Sequence, residues 1–171
     1  MHVVHVRELD VSGAYHPIEW MLLTSLPVDT ESDVRRVVEI YRARWLVEEF
    51  FKALKTGCEM ERRELESLET LTNILAICIP IAYQLLALRH LARSKPQAPA
   101  RLLFSEAQLA ILHAKAKTPA DPTAHEALVG VARLGGHWVP FERKLPGWEV
   151  LGRGLERLLT YEQGWLIRDE M

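Results

Sequence analysis

The chain has 171 residues, 49% of them hydrophobic, which suits one domain with a real core or part of a domain with an appended module. A formal net charge of −2 excludes binding to nucleic acid through overall charge, so any such contact has to be local. Cys58 and Cys78 are too few and too isolated for a disulfide framework or a zinc site, and the scattered histidines, His2 and His5 included, have no partner at ligand spacing.

Valines at 3, 4 and 6 predict a strand over His2 to Glu8. Val11 to Pro17 reads as a turn, with Ser12-Gly13 and Pro17, and Ile18 to Ser25 as a second strand; together they predict a hairpin. Pro27 ends the second strand. Thr30 and Asp33 then form a capping pair for a helix that runs to about Lys55 and stops at Gly57. Its apolar residues Ile40, Val47, Phe50, Phe51 and Leu54 predict a face that packs on a core.

Glu59 to Glu66 is a charge-rich connection. A long apolar helix follows from about Leu68 to Ala92, kinked at Pro80. Its most apolar run, Ile74 to Leu88, is shorter than the ~20 residues that cross a bilayer. That predicts a buried core helix and no membrane partner. No signal-peptide pattern opens the sequence, so the expected location is cytoplasmic, with both thiols free. Ser94 to Ala100 (SKPQAPA) reads as a linker. Three helical patterns come after it, at about 105–117, 123–134 and 148–162, separated by Thr118-Pro119 and the Gly135-to-Pro146 loop.

The chemistry concentrates in YRARWLVEEFFKALK, where Tyr41, Arg44, Glu48 and Lys55 are spaced Tyr-x2-Arg-x3-Glu-x6-Lys. On an α-helix these offsets fall within roughly 60° of one another. One stripe then carries a phenol, a guanidinium, a carboxylate and an ammonium. The cations and the phenol can hold phosphate oxygens, and the carboxylate can ligate a divalent metal. The bland alternative is a solvated face, because Arg44/Glu48 and Glu48/Lys52 both have the i,i+4 spacing of ordinary helix ion pairs.

The spacing resembles the Tyr-Arg-Glu-Lys signature of bacterial cut-and-paste DDE transposases, the transposon-five type of insertion-sequence enzymes. The resemblance extends over most of the chain. IEWMLLTSLPV stands upstream of the signature; Leu134-Gly135-Gly136, Pro146-Gly147-Trp148 and Arg153-Gly154 follow it in order. It implies that Glu48 is the catalytic glutamate, ligating Mg²⁺ or Mn²⁺ for in-line displacement at phosphorus. It implies that Tyr41 and Arg44 hold the phosphate near the cleaved end and that Lys55 contacts a neighbouring phosphate. Trp20 stands where the family has a tryptophan beside the active site; it stacks an extruded base or packs in a β core. Trp45 lies within the signature and packs at least as readily as it meets a base. Gly135-Gly136 and Pro146-Gly147-Trp148 resemble a dimerisation region with Trp148, Leu151 and Leu155 as contacts; intramolecular packing of a helical cap is the alternative.

The family's two catalytic aspartates precede the helix that carries the glutamate. Asp10, Asp29 and Asp33 are the aspartates before Glu48 here, and none follows a long buried-strand pattern. Asp29 and Asp33 read as turn and helix-start residues. The expected fold is α+β and mostly helical: residues 1–93 as the C-terminal part of an RNase H-like core with the end of a β insertion, 94–100 as linker, 101–171 as a helical dimerisation region. The expected chain is a C-terminal transposase fragment, inactive alone because two aspartates are missing, with metal bound only when they are supplied. Its expected partners are transposon-end DNA in the full-length context and a second copy or a full-length transposase as dimer. The alternatives are a non-enzymatic dimerising inhibitor of a full-length enzyme and a decayed reading frame.

Overall fold

Strands β1 (His2–Arg7) and β2 (Glu19–Thr24) pair antiparallel, Val4 opposite Leu22 and Val6 opposite Trp20. The computed structural model describes residues 1–9, 17–137 and 146–169, of which 168 and 169 by backbone alone. The predicted turn at 11–16 and most of the Gly135-to-Pro146 loop lie outside the described residues, as does Asp10. Alternation along each strand gives the hairpin two faces. Val4, Leu22, Val6 and Trp20 turn toward Val34, Val37 and Val38 of helix α1 (Glu31–Ala43). Val3, Met21 and Leu23 share the outer face and are exposed.

Helix α1 begins at the predicted cap. The Thr30 side chain accepts from the Asp33 backbone N–H at 3.2 Å, and the Asp33 carboxylate accepts from the Thr30 N–H at 3.0 Å. Both halves of the capping box are therefore present. The helix does not run unbroken to Lys55. At Arg44 the ladder tightens to three-residue spacing, with Arg44 N bonded to Tyr41 O at 3.1 Å and Val47 N to Arg44 O at 3.0 Å. Helix α2 covers Trp45–Lys52, and Ala53–Gly57 opens into a π-helical turn that the Cys58 N–H closes onto Ala53 O at 3.1 Å. Of the apolar face expected on this helix, Leu54 is buried and Phe50 partly so, while Ile40, Val47 and Phe51 are exposed. In α1 it is Val37 that enters the core.

By compactness the chain divides into two units, Met1–Glu48 and Glu49–Met171. The first has a small core of Val4, Leu22 and Val37. The second is helical. Its long helix α3 (Leu68–Ser94) buries Cys78, Ala82, Leu85, Leu88 and Ala92, a stripe with helical spacing, and keeps Pro80 inside the helix. Length and composition would let α3 cross a membrane, yet this stripe packs into the core of the second unit. Helices α4 (Glu106–Ala116), α5 (Ala124–Leu134) and α6 (Trp148–Asp169) complete that core, and α4 and α5 each start from a capping box.

The stretch read as a linker, 94–100, is exposed from Ser94 to Gln97 and packs at its end. Ala100 is fully buried, its N–H bonds Pro122 O at 2.9 Å, and the Ala124 N–H bonds Ala98 O at 2.7 Å. The helices on either side of it share one core, so its prolines fix a connection within a unit. Glycines set the helix spacing in that unit. A Cβ on Gly135 would lie 1.9 Å from Val150 O, one on Gly154 1.9 Å from Val131 O, and one on Gly152 1.8 Å from Gly57 O. Backbones this close admit only hydrogen at Cα. The glycine pattern thus serves packing within the chain. The architecture is α+β and mostly helical, as the sequence predicts.

Candidate functional site

In the first unit four of the predicted side chains form a continuous file. The rings of Trp20 and Tyr41 meet at 5.0 Å between centroids, tilted by 60°. The Arg44 guanidinium lies over the Tyr41 ring, 5.4 Å from its centre. Arg44 Nη1 then donates to Glu48 Oε1 at 2.8 Å. Each position follows from local structure: Trp20 points inward because it pairs with Val6 on the α1-facing side, and Arg44 sits at the tightened junction between α1 and α2. Arg44 and Glu48 are 54% and 37% exposed, so the charged end of the file is in solvent and the aromatic end is half-buried.

Magnitudes decide what this end can do. An exposed i,i+4 pair contributes only about 0.3–0.5 kcal/mol. A charge-assisted hydrogen bond to an incoming phosphate is worth about 1.5–3 kcal/mol. The exposed Arg44–Glu48 pair is therefore a weak tie that leaves both charged groups open to solvent. Beside Tyr41 lies a groove of about 260 Å³ lined by Met21, Leu23, Leu26, Val37 and Ile40, with no charged side chain in its wall.

Lys55 belongs to the second unit. It stands on the π-helical turn, with Nζ 3.0 Å from Glu61 Oε1, while its neighbours Ala53, Leu54 and Gly57 are buried. Counting 100° per residue is disturbed at the tightened step at Arg44 and does not carry through the π turn, so uniform helix spacing does not by itself fix where Lys55 stands. Trp45 is 54% exposed.

Trp148, Leu151 and Leu155 are buried in the second unit's own core, Leu151 completely. The exposed apolar residues of α6 are instead Tyr161, Trp165, Leu166 and Ile167. Trp148 also carries a contact that the sequence reading missed. The Arg89 guanidinium lies 4.4 Å from its ring centre, and burial lowers the Arg89 pKa, partly offset by Glu49. Arg89, the first charged residue after Glu69 along α3, was the available signal.

A hard divalent cation takes six or more oxygens. Glu48 offers one carboxylate, already engaged by Arg44, and the described residues hold no group of three or more His, Cys, Asp or Glu that could share an ion. Asp33 is committed to the α1 cap. These residues do not by themselves fit the metal pair of a two-metal site.

Residues 4–85 match the family model described as Transposase DDE domain. The matched segment contains Trp20, Tyr41, Arg44, Glu48 and Lys55; Trp148, Leu151 and Leu155 lie beyond it. DDE transposases generally use divalent metal ions. Over residues 4–85 the chain is similar to the DDE transposase domain, which supports a transposase-related function.

Proposed function

We propose that this chain is the C-terminal part of a cut-and-paste DDE transposase of the Tyr-Arg-Glu-Lys type and that it is catalytically incomplete alone. Arg44 and Tyr41 hold phosphate oxygens of transposon-end DNA, and Lys55 takes a neighbouring phosphate. Glu48 contributes one carboxylate toward Mg²⁺ or Mn²⁺, and two further carboxylates have to come from elsewhere. Trp20 supports Tyr41 and stacks an unpaired base where DNA is engaged. Residues 1–93 serve the catalytic side of this division and 101–171 assembly. The observation that carries the reading is the Trp20–Tyr41–Arg44–Glu48 file, inside the segment that matches the transposase domain.

The test is Mn²⁺-dependent nicking of duplex DNA by the purified chain beside Glu48→Gln. The expected result is no cleavage above the variant. Metal-dependent cleavage by the wild-type chain would show that a full set of carboxylates is present.

A second reading is a dimerising regulator that pairs with a full-length transposase and holds it inactive. The exposed apolar end of α6, Tyr161 with Trp165 to Ile167, supports this reading, since Trp148, Leu151 and Leu155 are occupied internally. Light scattering of the wild-type chain and of Ile167→Glu tests it: concentration-dependent dimers that the variant loses support the reading, and a strictly monomeric chain removes it.

A further inference from the structure

The second unit contains a cavity of about 310 Å³ that the transposase reading does not use. Gly57, Ile77, Ile81 and Leu159 supply apolar wall, and Arg63, Arg153, Glu59 and Glu156 supply charge. Both of the chain's cysteines line it. Cys58 follows the π-helical turn, and Cys78 lies on the buried stripe of α3. The Cys58 thiol donates to the Cys78 backbone carbonyl at 3.5 Å. Two thiols from separate elements, twenty residues apart in sequence, thus meet at a cavity wide enough for a small oxidant.

We infer that Cys58 and Cys78 form a dithiol site that closes to a disulfide when hydrogen peroxide enters this cavity. One cysteine, as its thiolate, attacks the peroxide. A sulfur–oxygen bond forms, the oxygen–oxygen bond breaks, and the leaving hydroxide takes up a proton to become water. The second thiol attacks the resulting sulfenic acid, loses its proton, and displaces a second water as the sulfur–sulfur bond forms. Two electrons pass from the sulfurs to the peroxide. No third cysteine competes within the chain. The burial that pushes the Cys58 thiol up to about 12 makes the reaction slow at neutral pH and keeps the pair reduced in a reducing compartment. Because Cys58 ends the turn that carries Lys55, the bond would tie that turn to α3. The inference does not depend on the transposase reading.

The experiment is graded hydrogen peroxide on the full reduced chain, then alkylation under denaturing conditions and peptide mapping. Exposed Met21 reports the oxidant dose through its sulfoxide. The expected result is a linked Cys58–Cys78 peptide pair, reversible by dithiothreitol, with a melting temperature raised by about 5–10 °C. Cys58→Ala and Cys78→Ala should each abolish both the link and the shift. The inference is overturned if both thiols remain free once Met21 is oxidised, if either cysteine goes to sulfinic acid unlinked, or if the disulfides join separate chains.

Discussion

Trp20 and Tyr41 lie ring against ring at 5.0 Å, which fastens β2 to the C-terminal end of α1 in a unit whose small core, among the described residues, is Val4, Leu22 and Val37. Tilted aromatic pairs add about 0.5–1.5 kcal/mol beyond their burial. In so small a core that share is large. Trp20→Ala should lower the stability of the first unit by about 1–3 kcal/mol, and Trp20→Phe by less, followed by denaturant unfolding. An unchanged midpoint in Trp20→Ala would mean that the hairpin does not depend on this contact.

The Arg44–Glu48 pair should behave as a functional contact and leave stability nearly untouched. Glu48→Gln is expected to move the unfolding free energy by less than about 0.5 kcal/mol. Calorimetry should show no stoichiometric Mn²⁺ site of micromolar affinity in the chain. Such a site, lost in Glu48→Ala, would contradict the account of an incomplete metal centre.

Glycine packing gives the sharpest stability contrast. Gly152→Ala must displace the Gly57 carbonyl and Gly135→Ala the Val150 carbonyl, whereas a Cβ on Gly147 meets nothing within 4 Å. The first two should cost about 1–3 kcal/mol or more, and Gly147→Ala less than about 0.5 kcal/mol. Equal melting temperatures for all three would show that α6 does not approach its neighbours this closely.

Much of this was legible because the local signals were strong. Thr30 with Asp33 fixed the start of α1, and the valines of β1 and the uncharged run of α3 announced their elements. The Tyr41–Arg44–Glu48 spacing found three members of the file, and Trp20 was marked beside them. What could not be read depended on tertiary contacts. The tightening at Arg44 and the π turn at Ala53–Gly57 have no composition signature, so a uniform helix carried Lys55 too simply onto the stripe. Trp148, Leu151 and Leu155 look the same in sequence whether they face a partner or a core. Prolines in 94–100 signal the end of a helix equally well in a free linker and in a packed connection.

The buried Cys58 thiol makes a pH prediction. Burial, then the neighbouring Cys78, pushes its pKa from 9.0 to about 12, with Arg63 opposing. Below pH 9 both folded and unfolded chains keep this thiol protonated, and its contribution to stability is fully present. Between pH 9 and about 12 the unfolded chain releases a proton that the folded chain retains, so stability falls as pH rises. Cys58→Ala should flatten that part of the stability profile. An identical slope in wild type and variant would place the titration elsewhere.

The central claim, that the file ending at Glu48 holds DNA phosphate, is tested most directly by salt-dependent binding of short duplex DNA to wild type, Arg44→Ala and Lys55→Ala. At low salt the wild-type chain should bind weakly and without sequence preference, since its net charge is −2. Each variant should bind more weakly, with the slope of log affinity against log salt reduced by about one unit. Slopes unchanged in both variants would contradict the account and leave Arg44 and Lys55 as solvated surface charges.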